Sequence, residues 1–151
     1  MKKLVLVCTG VLLSFLAQGQ IITPVKWTTS SKKISDKLYE VRVQATISKG
    51  WYIYSRSTPD GGALPTTISF LNNPVYKTTG KVQEVGKMEV KFEDVFGSNV
   101  KYYRNKLEFV QVFQVKPGNK KTKLEGIVEF MACNGKQCLA PEEQEFSVLV
   151  N

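Results

Sequence analysis

Apolar and polar residues alternate along several stretches of the chain, and a period of two predicts β-strands with one buried face. The clearest stretch is residues 38–48, where every second side chain is apolar. Its apolar positions are Tyr39, Val41, Val43, Ala45 and Ile47. Residues 124–132 and 145–150 alternate in the same way, so each of them also predicts a half-buried strand.

Other stretches are strand-like without a clean alternation. Residues 51–55 form a short aromatic run. Residues 66–71 follow the turn-rich segment STPDGGALP, whose paired glycines, Gly61 and Gly62, are interpreted as turn residues without a further role. Residues 106–115 are almost continuously β-branched or aromatic, which is typical of a central strand covered on both faces. After residue 20, no segment shows the 3.6-residue period of a helix. Around seven to nine short strands therefore predict an all-β fold, an immunoglobulin-like antiparallel β-sandwich.

The amino terminus has a different pattern. Two lysines precede an apolar run from Leu4 to Leu16, and the small residues Ala17 and Gly19 follow it. This order is typical of a secretory signal peptide, and the run is shorter than the ~20 residues that a membrane-spanning helix needs. We expect residues 1–19 to be a cleaved signal peptide and residues 20–151 to form one domain, which a length of 151 residues also favours.

Charge and composition exclude several classes of function. The chain has 21 basic and 13 acidic residues and no histidine, and loss of Lys2 and Lys3 lowers the net charge from +8 to +6. Because the remaining lysines are spread along the chain, a solvated basic surface is favoured over a nucleic-acid site. Without an imidazole, histidine-dependent nucleophiles, histidine general bases and histidine-ligated zinc are excluded.

The candidate chemistry lies in MACNGKQCLAPEEQEF, residues 131–146. Cys8 would be lost with the signal peptide, so Cys133 and Cys138 are the two cysteines of the exported chain, and an even number favours a disulfide. Cys133 follows the predicted strand 124–132, and Cys138 lies just past a four-residue connection. Residues that face each other across such a loop are about 4.5–5.5 Å apart at Cα, which a disulfide can bridge.

The spacing of the two cysteines leaves the role of this bridge open. On the chain-entropy model, a loop of about six residues contributes roughly 2 kcal/mol, so the bridge would be a weak structural staple. A close pair at a loop can also open and close without unfolding the domain, as a redox couple must. Metal binding is disfavoured, because two thiolates leave a zinc site two ligands short. No cofactor is expected.

A family resemblance favours the redox role. The segment FMACNGKQCLAPEEQEF resembles the active-site segment of the amino-terminal periplasmic domain of the DsbD family of thiol-disulfide interchange proteins. KGWYIYS (49–55) and KFEDVFGSNVKYYRNKLEF (91–109) are similar to two further family segments, in the same order. Four residues separate the cysteines here, against five in the best-known members. The resemblance implies an immunoglobulin-like sandwich, a periplasmic location and a redox-active pair, Cys133 and Cys138.

The resemblance also implies partners. Family members receive electrons from a thioredoxin-like domain, itself supplied across the membrane, and pass them to oxidised periplasmic proteins. Because the chain ends at Asn151, we expect the thioredoxin-like donor and a membrane electron transporter to be separate proteins. The competing hypothesis is a non-catalytic binding or adhesion module, in which a small disulfide only stiffens a loop.

Finally, the resemblance implies a cap loop that covers the cysteines with an aromatic ring. This loop maps onto Glu93, Asp94, Val95, Phe96 and Gly97. Phe96 is the expected covering ring, and Val95 shares that position if the loop is one residue shorter than in the family's usual form.

Overall fold

The strands dominate the computed structural model, which describes residues 22–59, 61–94, 96–118 and 121–150. Within these ranges there are nine β-strands and no helix. The strands are β1 (Val25–Lys33), β2 (Leu38–Ile47), β3 (Tyr52–Tyr54), β4 (Thr67–Phe70), β5 (Tyr76–Glu93), β6 (Ser98–Val115), β7 (Thr122–Phe130), β8 (Ala132–Cys133) and β9 (Glu142–Val150). The predicted signal peptide, residues 1–19, lies outside the described residues.

The nine strands form two antiparallel sheets. The larger sheet has the order β1-β2-β6-β3-β8, with β5 on the other edge of β6, and the smaller sheet has the order β4-β7-β9. Apolar side chains from both sheets meet in one main core. The predicted immunoglobulin-like β-sandwich is therefore confirmed.

Strand β6 pairs with other strands along both of its edges. One edge of β6 pairs with β5, and the other pairs with β2 at residues 106–114 and with β3 at Tyr102 and Tyr103. Between these two partners lies Asn105, whose φ of 63° is a left-handed conformation that asparagine tolerates better than most residues. The strand thus passes from one partner to the next at a single irregular residue.

The alternating patterns correctly predict the buried faces. The five apolar positions of residues 38–48 are all buried, and so are those of residues 124–132 and 145–150. Residues 106–115 lie in a central strand as predicted, although Glu108, Val112 and Gln114 on its outer face are only partly buried. The predicted strands are not all short, since β5 and β6 each have 18 residues.

A second, smaller apolar cluster lies on the outer face of the larger sheet. Ile53, Tyr103 and Ala132 belong to the main core, whereas their chain neighbours Tyr52, Tyr102 and Cys133 belong to the second cluster. Successive residues of a strand point to opposite faces, so the two clusters are on opposite sides of the sheet. The remaining buried members of the second cluster are Tyr54, Ala63 and Val100.

In the smaller sheet, Gly126 lies beneath two aromatic rings. It pairs with Phe70 on β4 and with Phe146 on β9, and these two rings meet edge to face with their centroids 5.6 Å apart. A Cβ at this position would collide with the Ser69 carbonyl oxygen and would lie 2.9 Å from Cε1 of Phe146. The absence of a side chain at Gly126 therefore permits this packing.

We expect Gly126→Ala to lower the free energy of unfolding by about 1–3 kcal/mol, because the added methyl group overpacks the sheet. Urea unfolding measures the change. Lys123→Ala on the same strand is the control, since the Lys123 side chain is 60% exposed and its loss is expected to cost less than about 0.5 kcal/mol. Equal stability of the two variants would show that the rings do not close tightly over Gly126.

Candidate redox site

Cys133 and Cys138 form a disulfide across a tight loop. Cys133 ends β8 and pairs with Tyr52 of β3, and Cys138 faces Cys133 in an isolated antiparallel bridge. Their Cα atoms are 4.1 Å apart. The structure thus confirms the disulfide and the facing positions that the sequence predicts, with a Cα separation somewhat shorter than the expected value of about 4.5–5.5 Å.

The loop between the cysteines is held by hydrogen bonds of its own. The Asn134 side-chain oxygen accepts the backbone N–H groups of Lys136 and Gln137, each at 2.9 Å. The Asn134 N–H donates to the Gln137 carbonyl, and the Leu139 N–H donates to the Ala132 carbonyl. None of these bonds involves a sulfur atom, so the loop has a framework that does not require the disulfide.

The two cysteines differ in exposure. Cys133 is fully buried within the second apolar cluster, whereas Cys138 is exposed. A reagent approaching from solvent therefore meets Cys138 first.

Three tyrosine rings pack in the same cluster as Cys133 and are called the tyrosine floor here: Tyr52, Tyr54 and Tyr102. Tyr52 packs edge to face against Tyr54 at 5.6 Å and lies 5.0 Å from the Tyr102 ring. Burial raises the pKa of Tyr54, and its hydrogen bond with Tyr52 raises it further. The pKa of Tyr102 is also raised, first by burial and then by its hydrogen bond to Glu89. A phenol is already neutral at physiological pH, and the raised pKa values keep these two neutral to more alkaline pH.

Two cations cover this tyrosine floor. Lys91 Nζ lies 4.4 Å and Arg104 Cζ lies 4.9 Å from the centre of the Tyr52 ring. Lys91 also forms a 2.7 Å ion pair with Glu93 and donates to the Tyr52 hydroxyl at 3.0 Å. Arg104 pairs with Glu89 at 3.7 Å. Each of the two cations thus has a carboxylate partner.

The described part of the predicted cap loop is next to the disulfide. The Phe96 N–H donates to the Glu93 carbonyl at 3.0 Å, and the Gly97 N–H donates to the Asp94 carbonyl at 3.2 Å. The partly buried Phe96 ring packs against the second cluster, whereas Asp94 and Gly97 are exposed. Val95 lies outside the described residues.

A surface cleft of about 210 Å³ joins the cap loop to the disulfide. Glu93 and Phe96 line one side of it, and the cysteine loop lines the other with Lys136, Gln137 and Cys138. The structure therefore brings two of the five predicted cap residues to the same cleft as the exposed cysteine.

Some residues around this site were not predicted. Lys91, Arg104 and Tyr102 reach it through cross-strand pairing, which the order of residues along the chain does not display. In the sequence, the signal that could have indicated these residues is the alternation of Glu89, Lys91 and Glu93 on one face of a strand. That pattern is more typical of a solvent-exposed edge strand than of a functional site.

Comparison with known proteins identifies the class of this domain. The family model of the N-terminal domain of thiol:disulfide interchange protein DsbD matches residues 18–150, and the chain therefore belongs to this family.

Two solved structures share the fold. The DsbD N-terminal domain of Neisseria meningitidis, solved in the reduced form, is 16% identical with a TM-score of 0.55, over 85% of this chain and 86% of that one. The N-terminal periplasmic domain of ScsB from Proteus mirabilis is 14% identical with a TM-score of 0.56, over 87% of this chain. The match spans 49% of the ScsB chain, about half its length. No curated protein sequence gives a significant match.

The described residues contain neither a membrane-spanning helix nor a cluster of potential metal ligands. No helix in them has the length and apolar character needed to cross a membrane. No three histidine, cysteine, aspartate or glutamate side chains in the same residues are grouped so that they could hold a metal ion.

The ion pair of Lys91 with Glu93 generates a pH-dependent prediction. Burial lowers the pKa of Lys91, but its hydrogen bonds with Glu93 and Tyr52 outweigh this effect and leave the pKa above its ordinary value. A raised lysine pKa stabilises the folded state fully below the unfolded value of about 10.4 and ceases to do so as the pH rises through the folded value.

We therefore expect Lys91→Met to lower the free energy of unfolding by about 1 kcal/mol at pH 7 and pH 9, and by less at pH 11. Urea unfolding at the three pH values measures the difference from the unchanged protein. Lys87→Met, at an exposed position of the same strand, is the control and should have little effect at any pH. A loss of the same size at pH 11 would contradict an electrostatic role for Lys91.

Proposed function

We propose that this domain is an exported carrier of electrons that exchanges its Cys133–Cys138 disulfide with thioredoxin-like proteins. It would accept electrons from a thioredoxin-like donor and pass them to oxidised periplasmic partners. The observation that carries the proposal is the unequal exposure of the two cysteines, one open to solvent and one buried, in a member of a thiol-disulfide interchange family.

In the first half of the reaction, a donor thiolate attacks Sγ of Cys138, because this cysteine is the exposed one. The bond between Cys138 and Cys133 breaks, and its electron pair leaves on Cys133 Sγ. A mixed disulfide now joins the donor to Cys138. The donor's second thiolate then attacks the donor sulfur in this mixed disulfide and releases Cys138. Two electrons have passed to the domain, and two protons from solvent complete the dithiol.

In the second half, the Cys138 thiolate attacks the disulfide of an oxidised partner. Cys133 then attacks Cys138 Sγ, which releases the reduced partner and restores the internal disulfide. The 4.1 Å separation of the two Cα atoms supports this step, since Cys133 stays within reach of Cys138. The hydrogen bonds centred on Asn134 support it too, because they hold the loop without involving either sulfur atom.

The cap loop, Glu93–Gly97 in sequence order, is proposed to restrict access to this disulfide. Three observations support Phe96 as the covering ring: it is partly buried, it packs against the cluster that contains Cys133, and it lines the cleft shared with Cys138. The ion pair and hydrogen bond of Glu93 with Lys91 and Tyr52 anchor the start of the loop. Docking of a partner would move the ring aside.

The proposed location and boundaries follow from the same function. Residues 1–19 would direct export and be removed, and residues 20–151 would act in the periplasm. Lys2, Lys3 and the apolar run after them support the export step. The periplasm also supplies the conditions under which disulfides persist.

Single cysteine variants test which sulfur reacts. We expect Cys133→Ser to form a mixed disulfide with a thioredoxin-like protein whose single remaining cysteine carries a thionitrobenzoate group, because the exposed Cys138 thiolate attacks that cysteine and thionitrobenzoate leaves. Cys138→Ser should form at least about tenfold less, since Cys133 is buried. Non-reducing electrophoresis measures the yield.

Equilibration of the unchanged domain with reduced thioredoxin-like proteins tests the carrier function itself. A disulfide that resists them, with a potential below about −300 mV, would instead indicate a structural bridge in a binding module.

The cap is tested by removing its ring. We expect Phe96→Ala to speed reduction of the disulfide by dithiothreitol about fivefold, because about 1 kcal/mol of ring packing no longer closes the cleft. Phe92→Ala is the matched control, since Phe92 is on the same segment but is 59% exposed. An unchanged rate for Phe96→Ala, measured by quantifying free thiols over time, would contradict the cap.

A further inference from the structure

We propose that Gly62 is the seat of the cap, a positioning residue whose missing side chain allows the Phe96 ring to close beside the disulfide. This inference rests on the proposed function, because it explains how the covering ring is held. It assigns a role in access control to the loop around Gly62, which lies between β3 and β4 and far from the cysteines in sequence.

The contact between Gly62 and Phe96 is direct. A Cβ added at Gly62 would overlap the Phe96 ring, with Cγ at 2.6 Å and Cε1 at 2.8 Å. The three nearest heavy atoms to that position all belong to this ring. The ring therefore occupies the space that any side chain at position 62 would need.

Glycine is required at position 62 for space rather than for backbone conformation. Gly61 has a φ of 126°, which L-residues rarely adopt, but Gly62 is not among the glycines with positive φ. An alanine at position 62 can thus follow the same backbone path. The three atoms nearest to its methyl group would all belong to the ring, so the substitution probes this contact.

The loop around Gly62 is attached to the sheet on both sides, which opposes movement of Gly62 away from the ring. Ala63, the next residue, is 4% exposed and packs in the same cluster as Tyr52 and Cys133. Before the seat, the Thr58 hydroxyl accepts the Lys101 N–H at 3.1 Å and donates to the Lys101 carbonyl. With the loop held to the sheet at these two points, a methyl group at position 62 would move the ring instead.

The cap then has two fixed sides and one movable part. On one side Lys91 and Tyr52 hold Glu93 at the start of the cap loop, and on the other Ala63 and Thr58 hold the seat. The Phe96 ring lies between them and lines the cleft with Cys138. Opening the cleft requires only that the ring leave Gly62, without a change in the sheet.

The test is a double-mutant cycle with Gly62→Ala, Phe96→Ala and the combined variant, in which the rate of reduction by dithiothreitol is measured. We expect Gly62→Ala to raise the rate about as much as Phe96→Ala, roughly fivefold, and the combined variant to show no further increase. A general loosening of the loop would make the two effects multiply. Multiplied effects, or an unchanged rate for Gly62→Ala beside a fast Phe96→Ala, would overturn the seat.

The stability of the variants against urea gives a second test. If Gly62→Ala alone is unstable, the combined variant should unfold in urea at the same midpoint as Phe96→Ala, because the clashing ring is gone. A combined variant that stays unstable would place the clash elsewhere and overturn the inference.

The electron-carrier function is tested separately with a reduced thioredoxin-like protein as the donor. Failure of that protein to reduce the disulfide, with the dithiothreitol cycle intact, would contradict the carrier function and leave the seat standing. If Phe96→Ala does not change the dithiothreitol rate, both the cap and its seat are wrong.

Discussion

The pairing of β6 along both of its edges is the interaction on which the rest of the structure depends. Its carboxyl-terminal half, joined to β2, carries Leu107, Phe109 and Phe113 into the main core. Its amino-terminal half, joined to β3, carries Tyr102 to the opposite face and into the cluster that buries Cys133. One continuous strand thus supports the core and the candidate redox site, so the candidate site rests on a sheet although its cysteines lie at a loop.

The disulfide is separate from the interactions that keep the domain folded. The disulfide closes a loop with a sequence separation of only 5, and the Asn134 hydrogen bonds already hold that loop. Breaking the bond therefore removes little of what keeps the domain folded, in contrast to a bridge between distant strands. Cys133 is buried and Cys138 is exposed, which supports the different roles proposed for them, and the charge of Lys91 is paired with that of Glu93.

The sequence predicted features that depend on local order and missed those that depend on pairing between distant strands. Alternation revealed the buried face of β2, and the two cysteines that remain after the predicted signal peptide indicated the disulfide, because both features can be read along the chain. Strand β5 was not predicted, since its side chains are mostly exposed and do not form an apolar pattern. Gly62 was interpreted as turn punctuation, because only the folded structure brings the Phe96 ring onto it.

Two glycines beneath phenylalanine rings show how one packing device serves two purposes. Phe146 over Gly126 is 9% exposed and is held by the Phe70 ring, so it is a permanent part of the core. Phe96 over Gly62 is more exposed and lines an open cleft, so less apolar surface must return to water when it leaves. The absence of a side chain that fixes one ring in the core also gives the other ring the place from which we propose it can be released. The extent to which the ring is buried, rather than the glycine beneath it, decides whether the ring is a fixed part of the core or can leave its position.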